Sequence, residues 1–317
     1  MTALRFAEEL AAPYGPAVPV AELVVRLNRI HHGFEAQTYD AAHAEIFEQL
    51  PGVWARMAGV AGELLRGRES LRVLDYGAGT GFAAAQVADR LKGARITCYD
   101  PSPEMLAVCQ QRLGRDAEYT LDEPEGRFDL LLTNSVLHHL PDLEGFCRRA
   151  GRLAAGGVWI AGHEPNQAYY LNEECLALAA RARQAWRLYR LVRPARLMEV
   201  AKRRLGFAKP AGELTARRAV EEGLFARRPP AVVIDRLVDF GVAHDRGEAL
   251  SGRGLDWGRV LEWLPEGSGI RFRESYNYLG PLYSPAMERR YAGEIERLRK
   301  RYPDCGANGC AVFQVGV

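Results

Sequence analysis

Residues 73–82 read VLDYGAGTGF: an apolar run ends in an acid, and a loop with glycine at every second position follows. The apolar run predicts a buried strand, and residues 82–88 predict a helix. Glycine takes a positive φ without a Cβ clash and lets the backbone pass close to a ligand. The helix N-terminus adds N–H groups that lack helical partners, together with a partial positive charge. This stretch therefore predicts a ligand-binding turn between a strand and a helix.

The glycine spacing distinguishes two kinds of ligand. Dinucleotide-binding turns carry Gly-x-Gly-x-x-Gly. Here Gly77 and Gly79 fit, but the third position is Phe82 and the extra glycine is Gly81. A carboxylate at Asp75, just before the turn, would repel a pyrophosphate and would accept hydrogen bonds from an ammonium group. The pattern favours an amino-acid-like ligand over a dinucleotide.

Two further predicted strands end in polar residues. Residues 95–100 predict a strand that ends in Asp100, and an acid at that point of a doubly wound fold binds ribose hydroxyls. Helix capping is the alternative role for Asp100, and its coupling to the glycine turn favours the ribose. Residues 128–134 predict a buried strand that ends at Thr133-Asn-Ser135, followed by Leu137-His-His-Leu140.

Together these motifs resemble the class I S-adenosylmethionine-dependent methyltransferases, and Leu137-His-His-Leu140 is similar to their small-molecule branch. Nucleic-acid base methylases carry Asn-Pro-Pro-Tyr or Asp-Pro-Pro-Tyr at this point, and the sequence does not. The resemblance extends over about residues 70–166 and implies S-adenosylmethionine as cofactor. The cofactor-binding residues that it implies are Tyr39, Asp75, Tyr76, Gly77, Gly79, Gly81, Asp100, Pro101, Ser102, Met105, Asp122, Asn134 and Ser135. Helix packing is the alternative for Tyr39, as a plain loop position is for Asp122.

Candidate general bases stand at the ends of the fourth and fifth predicted strands. His138 and His139 follow the fourth strand, and at most one should face the ligand because successive helical residues diverge by about 100°. His163 and Glu164 end the fifth strand, where their side chains should point to opposite faces. We predict His138, Glu164 and His163 as catalytic candidates, with structural packing as the alternative for each. His138→Ala or Glu164→Gln should then lower turnover without weakening cofactor binding.

The β-α alternation predicts an α/β fold, a doubly wound seven-stranded sheet that is mostly parallel, with the last strand antiparallel. Segments 1–68, 69–166, 167–228 and 229–317 are predicted as an N-terminal helical cap, the first part of the core, a basic helical lid and the remainder of the core. In the lid, Leu178, Ala182, Ala185, Tyr189 and Val192 form one apolar helical stripe. In the last segment, residues 230–240 predict the core helix that precedes two final strands.

Charge is unevenly distributed. Residues 181–228 carry 14 Lys and Arg against four Glu, although the whole chain has a net charge of only +2. A solvated basic face, an anionic acceptor, a membrane surface and nucleic acid remain open as explanations. The near-neutral whole chain argues against a dedicated nucleic-acid binder, which would be basic throughout.

The six cysteines form no Cys-x-x-Cys and lack the other ligands of a zinc site, so we expect reduced thiols in a cytoplasmic protein and no metal. The sequence shows neither an apolar run of membrane-spanning length nor a signal peptide, and so predicts no stable membrane insertion. The expected partner is a small-molecule acceptor, of oxygen, nitrogen or carbon type, in secondary or quinone-like metabolism, and a homodimer is left open. Related cofactor chemistry or a silent cofactor-binding scaffold are the alternative functions.

Overall fold

The computed structural model describes residues 3–91, 93–191, 210–239 and 254–317. The strands are β1 (Arg72–Tyr76), β2 (Arg95–Tyr99), β3 (Ala117–Thr120), β4 (Leu130–Asn134), β5 (Val158–Pro165), β6 (Gly269–Tyr276) and β7 (Asn308–Gln314). The helices are α1 (Ala3–Ala11), α2 (Val20–Glu35), α3 (Tyr39–Ala42), α4 (Ala44–Leu64), α5 (Phe82–Ala88), α6 (Pro103–Leu113), α7 (Leu143–Leu153), α8 (Gln167–Tyr170), α9 (Glu173–Leu191), α10 (Ala211–Glu221), α11 (Ala231–Val238), α12 (Trp257–Glu262), α13 (Pro285–Arg290) and α14 (Ala292–Arg301). Short 3-10 helices lie at Ala12–Tyr14, Leu137–His139 and Gly280–Leu282.

The strands form one seven-stranded sheet in the order β3-β2-β1-β4-β5-β7-β6. Strands β1 to β5 pair in parallel, whereas β7 pairs antiparallel with both β5 and β6. The predicted α/β fold class, with an antiparallel last strand, is confirmed. Because the strand order reverses between β1 and β4, a crevice opens at the carboxyl ends of these strands, where ligands bind in such sheets.

Both faces of the sheet are buried, as the apolar runs predict. Every residue of β5 is buried. Trp54 of α4 and Phe82 of α5 pack on one face. Trp159 and Phe313 pack on the other, with ring centroids 5.2 Å apart. The sheet is thus a rigid support for the loops at its carboxyl edge.

A third apolar cluster joins α2 to α10 and α11. Leu23 and Leu27 of α2 are fully buried in it, as are Ala219 of α10 and Ile234 of α11. The helix predicted at residues 230–240 therefore forms, but its predicted place against the sheet is wrong. α12 occupies that place, with Trp257 packed on Phe313. Periodicity indicated that this segment is a helix, but several apolar faces could accept it.

The described first half of the predicted lid packs against the C-terminal region of the chain. Leu178 and Ala182 of α9 are fully buried in a cluster with Tyr278 and Leu298, and Ala185 is partly buried there. The side chain of Tyr189 and the whole of Val192 lie outside the described residues. The predicted apolar stripe thus exists over its described part, where it packs against the C-terminal region.

All six cysteines are free thiols; five are buried and Cys305 is half-buried. In the part of the chain that the structure describes, no helix is long and apolar enough to span a bilayer.

Candidate functional site

A cavity of about 350 Å³ lies at the carboxyl ends of β1, β2 and β4, beneath α2. This volume is in the range of small-molecule sites, about 300–1,000 Å³. Ten of the thirteen predicted cofactor residues line it: Tyr39, Tyr76, Gly77, Gly79, Asp100, Pro101, Ser102, Met105, Asn134 and Ser135. The structure thus brings together residues that are up to 96 positions apart in the sequence, from Tyr39 to Ser135.

The glycine loop has two packed glycines and one open glycine. All three have positive φ, +70° at Gly77, +54° at Gly79 and +83° at Gly81. A Cβ added to Gly77 would lie 2.6 Å from Val136 Cγ2, and one added to Gly81 would lie 2.8 Å from Cys109 Sγ. At Gly79 no described atom would lie within 4 Å of that Cβ. Gly79 therefore leaves its backbone accessible from the cavity, whereas Gly81 does not line the cavity and caps α5.

Asp100 connects the glycine loop to the start of α6. Its Oδ2 accepts a hydrogen bond from the Gly79 N–H at 2.8 Å, and its Oδ1 accepts one from the Ser102 N–H at 2.9 Å. Ser102 caps α6 by accepting from the Met105 N–H at 3.3 Å. Burial raises the pKa of the Asp100 carboxyl. Each carboxylate oxygen has two acceptor positions, so Asp100 retains capacity for a ligand in the cavity.

Asp75 does not line the cavity, and its predicted direct contact with a ligand is not what the structure shows. It is 1% exposed, and its Oδ2 accepts from the Ala84 N–H of α5 at 3.0 Å. Its Oδ1 is buried and has no hydrogen-bond partner among the described residues. Burial raises the pKa of Asp75 to about 7. Asp75 therefore supports the glycine loop from behind.

Asp122 is also outside the cavity, and its neighbour takes the predicted place. The exposed Asp122 donates its N–H to Thr120 Oγ1 at 3.0 Å. Glu123 lines the cavity, accepts from the Tyr76 hydroxyl and pairs with Arg149 at 2.8 Å. The turn after β3 thus brings Glu123, and not Asp122, to the cavity. The sequence alone does not determine which of these two neighbouring acids faces the cavity.

The cavity is covered by α2, which lies in the predicted N-terminal cap, through four residues that the sequence reasoning did not name. Val25, Asn28, Arg29 and His32 line it, and their spacing places them on one side of a helix. The helical spacing of these four residues was the sequence signal that could have identified them as one face. The short helix α3 is tied to the site, because Asp40 accepts from Thr80 Oγ1 at 2.8 Å and pairs with Arg112. Gln37, two residues before Tyr39, is exposed and does not line the cavity.

Glu164 and His138 stabilise the turn after β4 and do not line the cavity. Glu164 is fully buried, and its carboxylate accepts from the N–H groups of Val136 at 2.8 Å, Leu137 at 3.0 Å and His138 at 3.3 Å. It also pairs with His138 Nδ1 at 2.8 Å. Burial lowers the pKa of His138, but the hydrogen bond and charge of Glu164 outweigh burial and hold it above its ordinary value. These contacts match the structural alternative for both residues, and the structure does not bring either of them to the cavity wall.

His163 is likewise outside the cavity. Its φ is +55°, at a bulge where the pairing of β5 with β7 shifts register between Ala161 and Glu164. Its Nδ1 lies 2.9 Å from the Tyr276 hydroxyl. Both side chains are buried, His163 against Tyr276 and Glu164 against the turn after β4.

His139 is the histidine of this turn that lines the cavity. Its Nδ1 lies 2.9 Å from the Val238 carbonyl oxygen, and its ring centroid is 5.1 Å from that of His32 and 3.9 Å from that of His138. One side-chain nitrogen or oxygen atom from each of His138, His139 and Asp239 lies within 4.8 Å of the other two, a spacing that could suit a metal ion. One nitrogen of each histidine is already engaged, by Glu164 and by Val238 respectively.

A family model described as "Methyltransferase domain" matches residues 46–208, more than half of the chain. The chain belongs to the methyltransferase domain family. The family predicted from the motifs is therefore confirmed. The chain is 38% identical over 103 residues to the ubiquinone biosynthesis O-methyltransferase of Methylocella silvestris, a match that covers 29% of the chain and 40% of that protein.

Two further similarities extend the comparison. The malonyl-(acyl-carrier protein) O-methyltransferase of Geobacter sulfurreducens is 38% identical over 98 residues, which cover 28% of the chain and 36% of that protein. The chain thus spans less than half the length of both relatives. Among solved structures, the plantazolicin methyltransferase BpumL in complex with SAH is 12% identical and matches over 94% of the chain and 98% of its own, with a TM-score of 0.45.

Proposed function

We propose that the chain binds S-adenosylmethionine and transfers its methyl group to a small-molecule acceptor. One observation carries this proposal: the open backbone at Gly79 and the buried carboxylate of Asp100 line one cavity at the topological switch point of the sheet. Family membership supports methyl transfer as the reaction.

The residues present fit this cofactor. The space beside Gly79, where any other residue would carry a Cβ, is open to a ligand atom. This space lies next to the N–H groups at the start of α5. Asp100 offers acceptor capacity for ribose hydroxyls. Tyr76, Tyr99 and Met105 supply flat and apolar surface for a base. Asp75 supports this loop from behind, where its carboxyl accepts the Ala84 N–H at the start of α5.

The cofactor supplies a methyl group on a sulfonium leaving group, so the protein's task is to orient the two reactants and exclude water. α2 encloses the cavity from above, and the bond between Asp40 and Thr80 holds the cover onto the glycine loop. Asn134 is oriented by the Trp54 indole, which donates to its Oδ1 at 3.0 Å. These contacts keep the site enclosed and ordered.

A small acceptor is supported by the size of the cavity and by its cover. Within the described residues of the basic segment, ion pairs already occupy several of the arginines, and these give no support to an anionic acceptor. Arg217 and Arg218 pair with acids of their own helix, Arg228 pairs with Glu213 and Arg181 pairs with Glu294. Cytoplasmic location, secondary metabolism, homodimer formation and the four segment boundaries remain proposals.

The test is formation of S-adenosylhomocysteine by the purified chain with a panel of phenols, carboxylic acids, amines and carbon acids. Acceptor-dependent product at a rate above a no-acceptor control supports the proposal. Cofactor binding with no turnover on the whole panel would favour a cofactor-binding scaffold instead.

A further inference from the structure

The hydrogen bond from His139 to the backbone fixes the protonation of its ring. Val238 contributes a carbonyl oxygen, which can only accept, so the proton of the neutral imidazole is on Nδ1. The carboxylate of Asp239 lies 3.8 Å from the same nitrogen and favours the same arrangement. Nε2 of this cavity-lining ring therefore carries the free lone pair.

The groups around His139 keep it neutral. His138 beside it shares a buried hydrogen bond with Glu164 of β5, and His31 and His32 approach from α2 with Glu35. Tyr39 of α3 contacts His32, and Asp239 lies at the end of α11. Burial, and then the charges of His138 and His32, lower the pKa of His139 well below its ordinary value. The ring is therefore available as a proton acceptor at neutral pH.

We propose that His139 Nε2 accepts the proton of the acceptor during methyl transfer, and that the acceptor group is a hydroxyl. This inference rests on the proposed function. The oxygen lone pair forms the new O–CH₃ bond as the S–CH₃ bond breaks and its electron pair stays on sulfur. The O–H proton moves to Nε2, and the imidazolium then releases it to solvent. One positive charge enters on the sulfonium and one leaves as the proton.

Because His139 is a weak base, it can assist methylation of a hydroxyl acceptor but not of an alkylamine acceptor. As a methyl group bonds to a hydroxyl oxygen, the O–H becomes far more acidic than an imidazolium, so even a weak base removes its proton. A methylated alkylammonium is a much weaker acid than the imidazolium of His139, so His139 would not take its proton. Val25, Phe47 and Leu140 give the neighbouring wall an apolar character, which favours an aryl or enol hydroxyl.

The first experiment needs no acceptor. The chain is treated with diethyl pyrocarbonate at pH 6.5, and the labelled histidines are mapped by mass spectrometry. We expect label on His139, whose Nε2 is an unprotonated nucleophile, and slow labelling of His138, which is held by Glu164. Labelling of His138 ahead of His139 overturns the proposal.

The second experiment compares wild type with His139→Asn, which keeps an N–H donor for Val238 but removes the base. At pH 7 we expect turnover on a phenol panel to fall by about 10²–10⁴-fold, with the Kd for S-adenosylhomocysteine unchanged by calorimetry. The loss should shrink near pH 10, because an ionised phenol needs no base. Equal loss at both pH values, or weakened binding of S-adenosylhomocysteine, would indicate a structural role and overturn the proposal.

The two proposals fail in different ways. A wild-type chain that binds S-adenosylhomocysteine but methylates only amines or carbon acids overturns the hydroxyl assignment and leaves methyl transfer intact. A chain that binds neither form of the cofactor overturns the proposed function itself.

Discussion

Replacing Glu164 with Ala should lower the free energy of unfolding by about 3–5 kcal/mol, the usual cost of removing one partner of a buried ion pair. The structure supports a value in that range. Three backbone N–H groups and the His138 ring lose their acceptor, and a buried donor without a partner costs about 1–3 kcal/mol. Val136 and His138 are only half-buried, so water can reach part of the turn and the costs do not simply add.

Urea unfolding followed by circular dichroism measures this loss. The matched control is Glu144→Ala, the same substitution in an exposed pair with Arg148 at 2.8 Å, which should cost less than about 1 kcal/mol. A loss below about 1 kcal/mol for Glu164→Ala, or one equal to the control, would refute the role of Glu164 as the anchor of the turn after β4.

The cost of Glu164→Ala should also depend on pH. Glu164 raises the pKa of His138 in the folded chain above the unfolded value near 6.5. The stability gained from their charge pairing is therefore fully present below pH 6.5 and is lost as pH rises through the folded pKa. The difference between wild type and variant should be larger at pH 6 than at pH 9, and should not vanish, because the three N–H contacts remain. A difference that grows with pH would contradict this coupling.

Three other substitutions have defined outcomes. Gly79→Ala should weaken S-adenosylhomocysteine binding at least tenfold by calorimetry while costing about 1–2 kcal/mol of stability for its positive φ; unchanged affinity would mean that the ligand does not approach this backbone. The wild-type chain should lose stability as pH rises from about 4 to about 7, and Asp75→Asn should remove this loss. The folded carboxyl, with its pKa raised to about 7, stays protonated there while the unfolded one ionises; parallel urea midpoints for both chains across that interval would contradict the shift. Trp54→Phe removes the bond to Asn134 Oδ1 and should cost about 1–3 kcal/mol, whereas a change within about 0.5 kcal/mol would show that Asn134 finds another donor.

The sheet and the glycine turn could be predicted because their signals are local. The runs that end at Asp75, Asp100 and Asn134 each give a strand, and the parallel topology brings their ends together. Ten of the predicted cofactor residues line the cavity for this reason. Asp75 does not line the cavity, because its buried side chain lies behind the glycine loop and accepts from the Ala84 N–H of α5.

The acceptor side depends on contacts that are distant in sequence. His138 and His139 are equivalent candidates in the sequence, and Glu164 and Val238 decide between them from other elements. His163 does end the fifth strand as predicted, but its ring is held against Tyr276 of β6 and does not line the cavity. α11 packs on α2 instead of the sheet, because its apolar face fits either surface. Such choices are made by tertiary packing, which periodicity does not encode.

Calorimetric titration of the purified chain with S-adenosylhomocysteine is the most direct measurement of cofactor binding at the glycine turn. We expect one site per chain, and at least tenfold weaker binding for Asp100→Ala, which removes the carboxylate between Gly79 and Ser102. Asp122→Ala, outside the cavity, should bind as wild type does, and circular dichroism should show both variants folded. The absence of binding to wild type at millimolar ligand, or equal affinity of the folded Asp100→Ala chain, would contradict cofactor binding at this site.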